Sequence, residues 1–390
     1  MDTAPPPAGH DPKPVIGVVG LGTMGLGIVQ VFLMAGFRVV ATDAFVPMLT
    51  TAPMRLAETL TARITAGKLT HDARNSALLR LRLVTRPAEM GRADLLIEAI
   101  AENLIAKRAL FADLEAVLAK DAILATNTSS LSVAAVAEGL MRPQRVLGLH
   151  FFNPAPAMKL VELVGHAGTS AGALRRARMI TERAGKVVID APDRPGFIVN
   201  RCARPFYGEA LALLEEGIPA MVIDAAMVAA GYKIGPFALI DLIGADIHLA
   251  ATEGLFAAMD GNPRYHVFDR LRAQVTSGNL GRKTGRGFVY MAAPNLTPPN
   301  SAPPNAAEIV QRIESAMINE AATLLAEGGT SPEGIDTALT LGMNFPRGPF
   351  AALHSYGARP VLAVLAALSA AAPGHLRGRY TASPALTEMA

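Results

Sequence analysis

Val15-Ile16-Gly17-Val18-Val19-Gly20-Leu21-Gly22-Thr23-Met24-Gly25 sets the fold of the first half of the chain. The apolar, β-branched run reads as a buried strand, and the periodicity of Met24–Met34 reads as the helix after it. Between them Gly20 permits a tight turn, and Gly22 lets a pyrophosphate approach backbone that carries no Cβ. Gly25 lets helix and strand pack closely, and the helix N-terminus offers free N–H groups to an anion. Thr23 and Met24 complete the fingerprint. Glycine-rich turns are common, so the strand before and the helix after give this one its weight. Asp43 closes the next strand, 21 residues beyond Gly22. A carboxylate there accepts from both ribose hydroxyls and repels a 2′-phosphate. No Arg follows within several positions, so NAD is the expected cofactor. The plainer reading is that Asp43 only caps a strand-to-loop turn.

Outward from this point, short apolar runs alternate with longer mixed segments up to about residue 190. Val15–Val19, Arg38–Thr42, Leu95–Ala99, Ile123–Thr126, Val146–Leu149, Leu160–Val164 and Val187–Ile189 read as strands. That alternation predicts an α/β, Rossmann-type, doubly wound and mainly parallel sheet over 15–192, behind a Pro-rich tail at 1–14. After Pro192 the chain reads as helices over 193–290. A Pro-rich linker spans 291–305, a second helical segment 306–372, and a tail 373–390. The second segment repeats the first. Val199-Asn200-Arg201 matches Val310-Gln311-Arg312, and Glu209-Ala210 with Glu216-Gly217 matches Glu320-Ala321 with Glu327-Gly328. Ile223-Asp224 matches Ile335-Asp336, and Gly235-Pro236-Phe237 matches Gly348-Pro349-Phe350. The offset drifts only from 111 to 113, which predicts a duplicated all-α domain.

Composition narrows the class. Hydrophobic residues make up 51% of the 390 and charged residues 18%, enough apolar material for packed cores. Every apolar run breaks before the roughly 18 residues a membrane span needs, and no signal pattern opens the sequence, so a cytoplasmic, membrane-free protein is expected. The single Cys202 rules out a disulfide framework and a cysteine-rich metal site. Net charge is only +3. Arg74, Arg80, Arg82, Arg86 and Arg92 form a basic cluster that reads either as a solvated face or as a surface meeting a phosphorylated substrate. No nucleic-acid-binding module accompanies it.

Of eight histidines, His150 is distinctive. It ends the apolar run Val146–Leu149, and ligands lie at the C-terminal ends of strands in such sheets. On the residues alone, a core histidine satisfied by backbone is the commoner expectation. The surrounding segment, His150-Phe151-Phe152-Asn153-Pro154-Ala155-Pro156-Ala157-Met158-Lys159-Leu160-Val161-Glu162, closely resembles the signature of the 3-hydroxyacyl-CoA dehydrogenases. Resemblance continues through Asn127-Thr128-Ser129-Ser130-Leu131, Pro195-Gly196-Phe197-Ile198-Val199-Asn200-Arg201 and Gly281-Arg282-Lys283-Thr284-Gly285-Arg286-Gly287-Phe288. It covers nearly all of residues 15–290.

That resemblance implies reversible NAD-dependent oxidation of a (S)-3-hydroxyacyl-CoA to the 3-oxoacyl-CoA, in fatty acid or aromatic-compound catabolism. His150 would be the general base and Glu162 the carboxylate that orients it, while Ser129 and Asn200 would hydrogen-bond the reacting oxygen. Glu102, Lys107, Ser129, Asn153 and Lys283 are implied cofactor contacts. Glu98, inside a strand, competes with Glu102 as a buried structural acid. Lys68 roughly matches a contact to the coenzyme A phosphates and reads equally as a surface lysine.

Shorter members of the family end soon after the Gly-Phe segment and dimerise through the helical domain. Here a second copy follows with Gln311 in the place of Asn200 and no counterpart of Gly281–Phe288, which implies a structural copy without a site of its own. It could form an intrachain pseudo-dimer, as an alternative to a homodimer. Two-copy architecture resembles bacterial enzymes acting on 3-hydroxybutyryl-CoA or 3-hydroxyadipyl-CoA. Two rivals stand beside this reading. A free 3-hydroxy acid dehydrogenase generally uses a lysine base in place of a His–Glu pair. A non-catalytic NAD-binding protein has no use for either residue.

Overall fold

The computed structural model describes residues 13–291 and 303–390, so the N-terminal tail and most of the Pro-rich linker lie outside the described residues. Two compact units divide the chain, Met1–Val188 and Ile189–Ala390.

In the first unit, β1 (Val15–Val19), β2 (Arg38–Thr42), β3 (Leu81–Leu83), β4 (Leu95–Glu98), β5 (Ile123–Thr126), β6 (Val146–Phe151) and β7 (Leu160–Gly165) build a sheet that β8 (Val187–Pro192) ends. The order is β3-β2-β1-β4-β5-β6-β7-β8. Strands β1 to β6 pair in parallel, and β7 runs antiparallel to β6. Every residue of β4 and β5 is buried, as a sheet covered on both faces requires. The covering helices are α1 (Thr23–Met34), α2 (Val46–Thr65), α3 (His71–Leu78), α4 (Leu104–Val117), α5 (Val133–Ala137) and α6 (Ala171–Arg183). Thr70, Asn103, Ser132 and Ser170 start α3 to α6 by accepting a backbone N–H three residues on, each worth about 1 kcal/mol. Ile16, Phe32, Val39, Ile97, Leu147 and Ile180 share one core. Relative to the sequence reading, β4 ends one residue earlier at Glu98, and β7 and β8 run on to Gly165 and Pro192. The short edge strand β3 was not foreseen, and β6 continues through His150 to Phe151 because it keeps pairing with β7.

The second unit contains α7 (Val199–Cys202), α8 (Arg204–Glu215), α9 (Ala220–Ala229), α10 (Pro236–Ile243), α11 (Ala245–Ala258) and α12 (Asp269–Thr276). After the linker come α13 (Ala306–Ala326), α14 (Pro332–Gly342), α15 (Pro349–Tyr356), α16 (Ala358–Ala371) and α17 (Pro384–Glu388). Helices α9, α10 and α11 recur as α14, α15 and α16. Long helix α13 corresponds to α7 and α8 together. Pro205, which lacks an N–H, sits at the start of α8, whereas its counterpart Ala316 lets α13 run unbroken.

Residues matched by the repeat meet each other. Arg201 donates from Nε to Glu320 (2.5 Å) and from both Nη atoms to Glu327 (2.8 Å each). Reciprocally, Arg312 donates from Nε to Glu209 (3.0 Å) and from its Nη atoms to Glu216 (2.6 and 2.7 Å). Arg264 and Tyr265 add bonds to Glu320, as Arg379 and Tyr380 do to Glu209. The two helical copies are thus related by an approximate two-fold axis within one compact unit. Residues 373–390 are not a loose tail, because Arg379, Tyr380 and Leu386 are buried in these contacts and in the core around α16.

Candidate active site

The turn from β1 into α1 explains its three glycines separately. Gly20 has φ of 95°, and a Cβ there would lie 2.5 Å from the Ala99 carbonyl oxygen. At Gly25 a Cβ would lie 1.7 Å from the oxygen of Gly20. Gly22 has open space instead, facing where a ligand backbone would pass. Gly22 is also the N-cap of α1 and supplies no side-chain cap, so the first-turn N–H groups of Thr23 and Met24 point outward unclaimed by a cap. A cavity of about 640 Å³ opens here, lined by Gly20, Gly22, Asp43, Phe45, Met48 and Ile100 among others. Asp43 is fixed at its mouth by the N–H groups of Leu21 (2.6 Å) and Phe45 (2.8 Å). Each carboxylate oxygen keeps a lone pair for a ribose hydroxyl. These residues fit a dinucleotide.

The register of β6 on β7 sets His150 directly opposite Glu162. Side chains of such a pair leave the same face of the sheet at close range. His150 Nδ1–H donates to Glu162 Oε2 at 2.6 Å, with Glu162 fully buried and His150 6% exposed. An ionised Glu162 only accepts, so this contact favours the tautomer with its proton on Nδ1. Phe152 packs on the imidazole with ring centroids 4.4 Å apart. Strand β6 outruns β5, whose last residue, Thr126, pairs with Gly148. The loop that follows β5 therefore passes beside His150, and Asn127 ties it there by accepting the Phe151 N–H at 2.8 Å.

Glu102 holds the rest of that loop. Its Oε1 accepts from the hydroxyls of Thr128 and Ser130 and from the N–H groups of Ser129 and Ser130. Burial pushes its carboxyl up, but these bonds and the Lys107 charge outweigh burial and hold it below the ordinary range. Lys107, expected as a direct cofactor contact, is 1% exposed. It bonds Glu98 at 2.6 Å and lies 3.2 Å from Glu102. Glu98 is the buried structural acid, accepting also from Thr126 and the Ile100 N–H. Asn127 and Thr128 went unassigned in the sequence reading, although the polar run Asn127–Ser130 directly after a strand was signal enough.

Asn153 is exposed just beyond Phe152, and Lys68 is exposed in the turn between α2 and α3. Asn200 and Lys283 belong to the second unit. Asn200 lies half-buried in α7, after the positive-φ pair Gly196 (77°) and Phe197 (46°). Lys283 is bonded to both oxygens of Asp246 at 2.5 and 2.6 Å. Within the basic cluster, Arg74 and Arg80 donate to neighbouring helices, while Arg82, Arg86 and Arg92 are exposed.

A family model described as 3-hydroxyacyl-CoA dehydrogenase, NAD binding domain, matches residues 15–194. The companion C-terminal domain matches twice, at 196–291 and 309–390. The chain belongs to the 3-hydroxyacyl-CoA dehydrogenase family. As a family member it is an NAD-dependent oxidoreductase in type, and its relatives are named accordingly. It is 43% identical over 274 residues to the 3-hydroxyadipyl-CoA dehydrogenase of Escherichia coli K12, an alignment covering 70% of this chain and 58% of that one. A probable 3-hydroxybutyryl-CoA dehydrogenase of Bacillus subtilis is 37% identical over 70% of this chain and 95% of its own. Among solved structures, 3-hydroxybutyryl-CoA dehydrogenase from E. coli K12 superposes with a TM-score of 0.89 at 32% identity, covering 96% of this dehydrogenase-family chain and 98% of that one. The duplicated helical architecture is therefore shared along the full length. No single helix among the described residues is long and apolar enough to cross a membrane.

Proposed function

We propose that the chain oxidises the 3-hydroxyl of a 3-hydroxyacyl-CoA reversibly, with His150 as general base. The carrying observation is the buried His150–Glu162 bond across the antiparallel pair of β6 and β7. NAD, when bound, supplies the hydride acceptor. His150 Nε2 takes the hydroxyl proton, and Glu162 stabilises the imidazolium that results while keeping the ring oriented. Ser129 and Asn200 position the reacting oxygen as neutral donors that do not compete for its proton. Asp43 selects the ribose with two free hydroxyls. Glu102 keeps the loop of Ser129 in place, and Lys107 reaches the cofactor side through Glu102. Asn153 and Lys283 complete the proposed cofactor contacts, and Lys68 a contact to the coenzyme A phosphates. The second helical copy serves as an internal partner for the first.

Absorbance of NADH with acetoacetyl-CoA tests this reading. His150→Gln is expected to lower kcat by on the order of 10²–10⁴ while NADH still binds. Near-normal turnover in that variant would refute the assignment, and no turnover of any acyl-CoA by the unaltered chain would favour the non-catalytic reading.

A further inference from the structure

The inner arginines of the second unit follow a rule with one exception. Arg201, Arg264, Arg312 and Arg379 each meet a buried or half-buried glutamate. Arg204 is as deeply placed, 8% exposed, yet no carboxylate pairs with it among the described residues. Its Nη1 donates to the Thr252 hydroxyl at 3.1 Å, and its buried Nε has no acceptor. The guanidinium lies 5.7 Å from the centre of the Tyr207 ring, which in turn packs on His248 at 4.4 Å. Burial pulls the arginine down from its ordinary range, and burial together with the Arg204 charge pulls His248 well below its own. An unpaired cation in such a place is costly unless something anionic meets it.

The fold does not need this cluster. At the 111-residue spacing that relates Arg201 to Arg312, Arg204 and Tyr207 correspond to Ser315 and Ile318. At the 113-residue spacing that relates α11 to α16, His248 and Thr252 correspond to Val361 and Leu365. Ile318, Val361 and Leu365 form an ordinary apolar core in the second copy. The copy that has Gln311 for Asn200 is thus also the copy without the arginine.

Arg204 stands four residues beyond Asn200, one turn along a helical path interrupted only at Ala203. Residues so spaced share a helix face. We propose that Arg204 is a specificity-determining residue that receives a carboxylate at the far end of the acyl chain, so that the substrate is a dicarboxylic 3-hydroxyacyl thioester. This inference rests on the proposed dehydrogenase reading, in which Asn200 holds the oxygen on C3. In a six-carbon chain the terminal carboxylate is three carbons from C3, about the rise between those two side chains. Thr252 fixes one nitrogen of the fork, and the buried Nε is a donor left without an acceptor, the kind of group a charged ligand oxygen satisfies.

The test compares two six-carbon 3-hydroxyacyl-CoA thioesters, one ending in carboxylate and one in methyl, by kcat/KM and by competitive inhibition with the matching saturated thioesters. Unaltered enzyme is expected to favour the carboxylate. Arg204→Met should lower the carboxylate-to-methyl ratio by on the order of 100-fold, with Arg204→Lys restoring part of it. Circular dichroism should show both variants folded, since Arg204→Met removes a charge that no carboxylate pairs with and Arg204→Lys keeps it. Equal or better use of the methyl-ended thioester by the unaltered enzyme would overturn the inference, as would a ratio unmoved by Arg204→Met. Should neither thioester be oxidised, the dehydrogenase reading fails. The inhibitor-binding preference and its loss in Arg204→Met then still decide the role of Arg204.

Discussion

Asp43 performs two roles that the sequence offered as rivals. It caps the turn after β2 through the Phe45 N–H, and it lines the cavity at the end of β1 while accepting the Leu21 N–H. The capping bonds are what aim the carboxylate, so the structural reading supports the functional one. A 2′-phosphate brought to this place would meet a fixed like charge, a juxtaposition that costs several kcal/mol. NADH is therefore expected to support turnover at least about 100-fold better than NADPH. Asp43→Asn replaces one acceptor by a donor that faces a backbone N–H. It should weaken NADH binding about 10-fold and narrow the NADH-to-NADPH ratio by a similar factor, read by fluorescence titration. Comparable rates with the two cofactors in the unaltered enzyme would remove selectivity from Asp43.

At the scale of elements, α10 and α15 start by a device that neither copy shows in its local sequence. Asp224 accepts the N–H groups of Phe237 and Ala238 at the start of α10, and Asp336 accepts those of Phe350 and Ala351 at the start of α15. The glycine before each helix makes room for it, since a Cβ at Gly235 or Gly348 would lie 2.3 Å from the aspartate. Gly348→Ala should therefore cost about 1–3 kcal/mol by crowding, seen as a lower urea midpoint, while kcat at temperatures well below melting stays the same. An unchanged midpoint would mean that Asp336 moves aside without loss.

These caps mark how far the sequence could be read. Matching Ile223-Asp224 and Gly235-Pro236-Phe237 to their later copies revealed the repeat, but a cap closed across a dozen residues leaves no short-range pattern. Strands with continuous apolar runs, such as β1 and β5, were legible for the opposite reason, because burial on both faces dictates every position. The three-residue β3, with exposed Arg82 at its centre, carries no such signal and exists through its pairing with β2. His150 and Glu162 were legible as residues. Their bond was expected only through the family resemblance, because on the residues alone it depends on an antiparallel register that only the folded sheet displays. Arg264-Tyr265 and Arg379-Tyr380 escaped notice because their spacing falls outside the 111–113 window of the other matched blocks.

At the scale of the whole molecule, duplication separates stability from chemistry. Arg201 and Arg312 are equivalent in their bonds, each spanning from one helical copy to two glutamates of the other. Removing either arginine leaves a buried glutamate short of a partner, though Arg264 still serves Glu320 and Arg379 still serves Glu209. Loss of a full buried pair costs about 3–5 kcal/mol, so Arg201→Met and Arg312→Met should each lose somewhat less than that, and by similar amounts in urea unfolding. Their effects on turnover should differ. Arg201 is chain neighbour to Asn200, the proposed contact of the reacting oxygen, whereas Arg312 follows Gln311 in the copy without a site. At conditions where both variants are fully folded, Arg201→Met is expected to lower kcat at least about 10-fold, the effect of misplacing one positioning group. Arg312→Met should keep kcat within about two-fold of the unaltered enzyme, since the bond it loses positions no reacting group. Sedimentation should show the unaltered chain as a monomer of 40.8 kDa, because the face of the first helical copy is already met by the second. Dimers built on that face, or equal losses of turnover in the two variants, would show that the second copy takes part in more than holding the first in place.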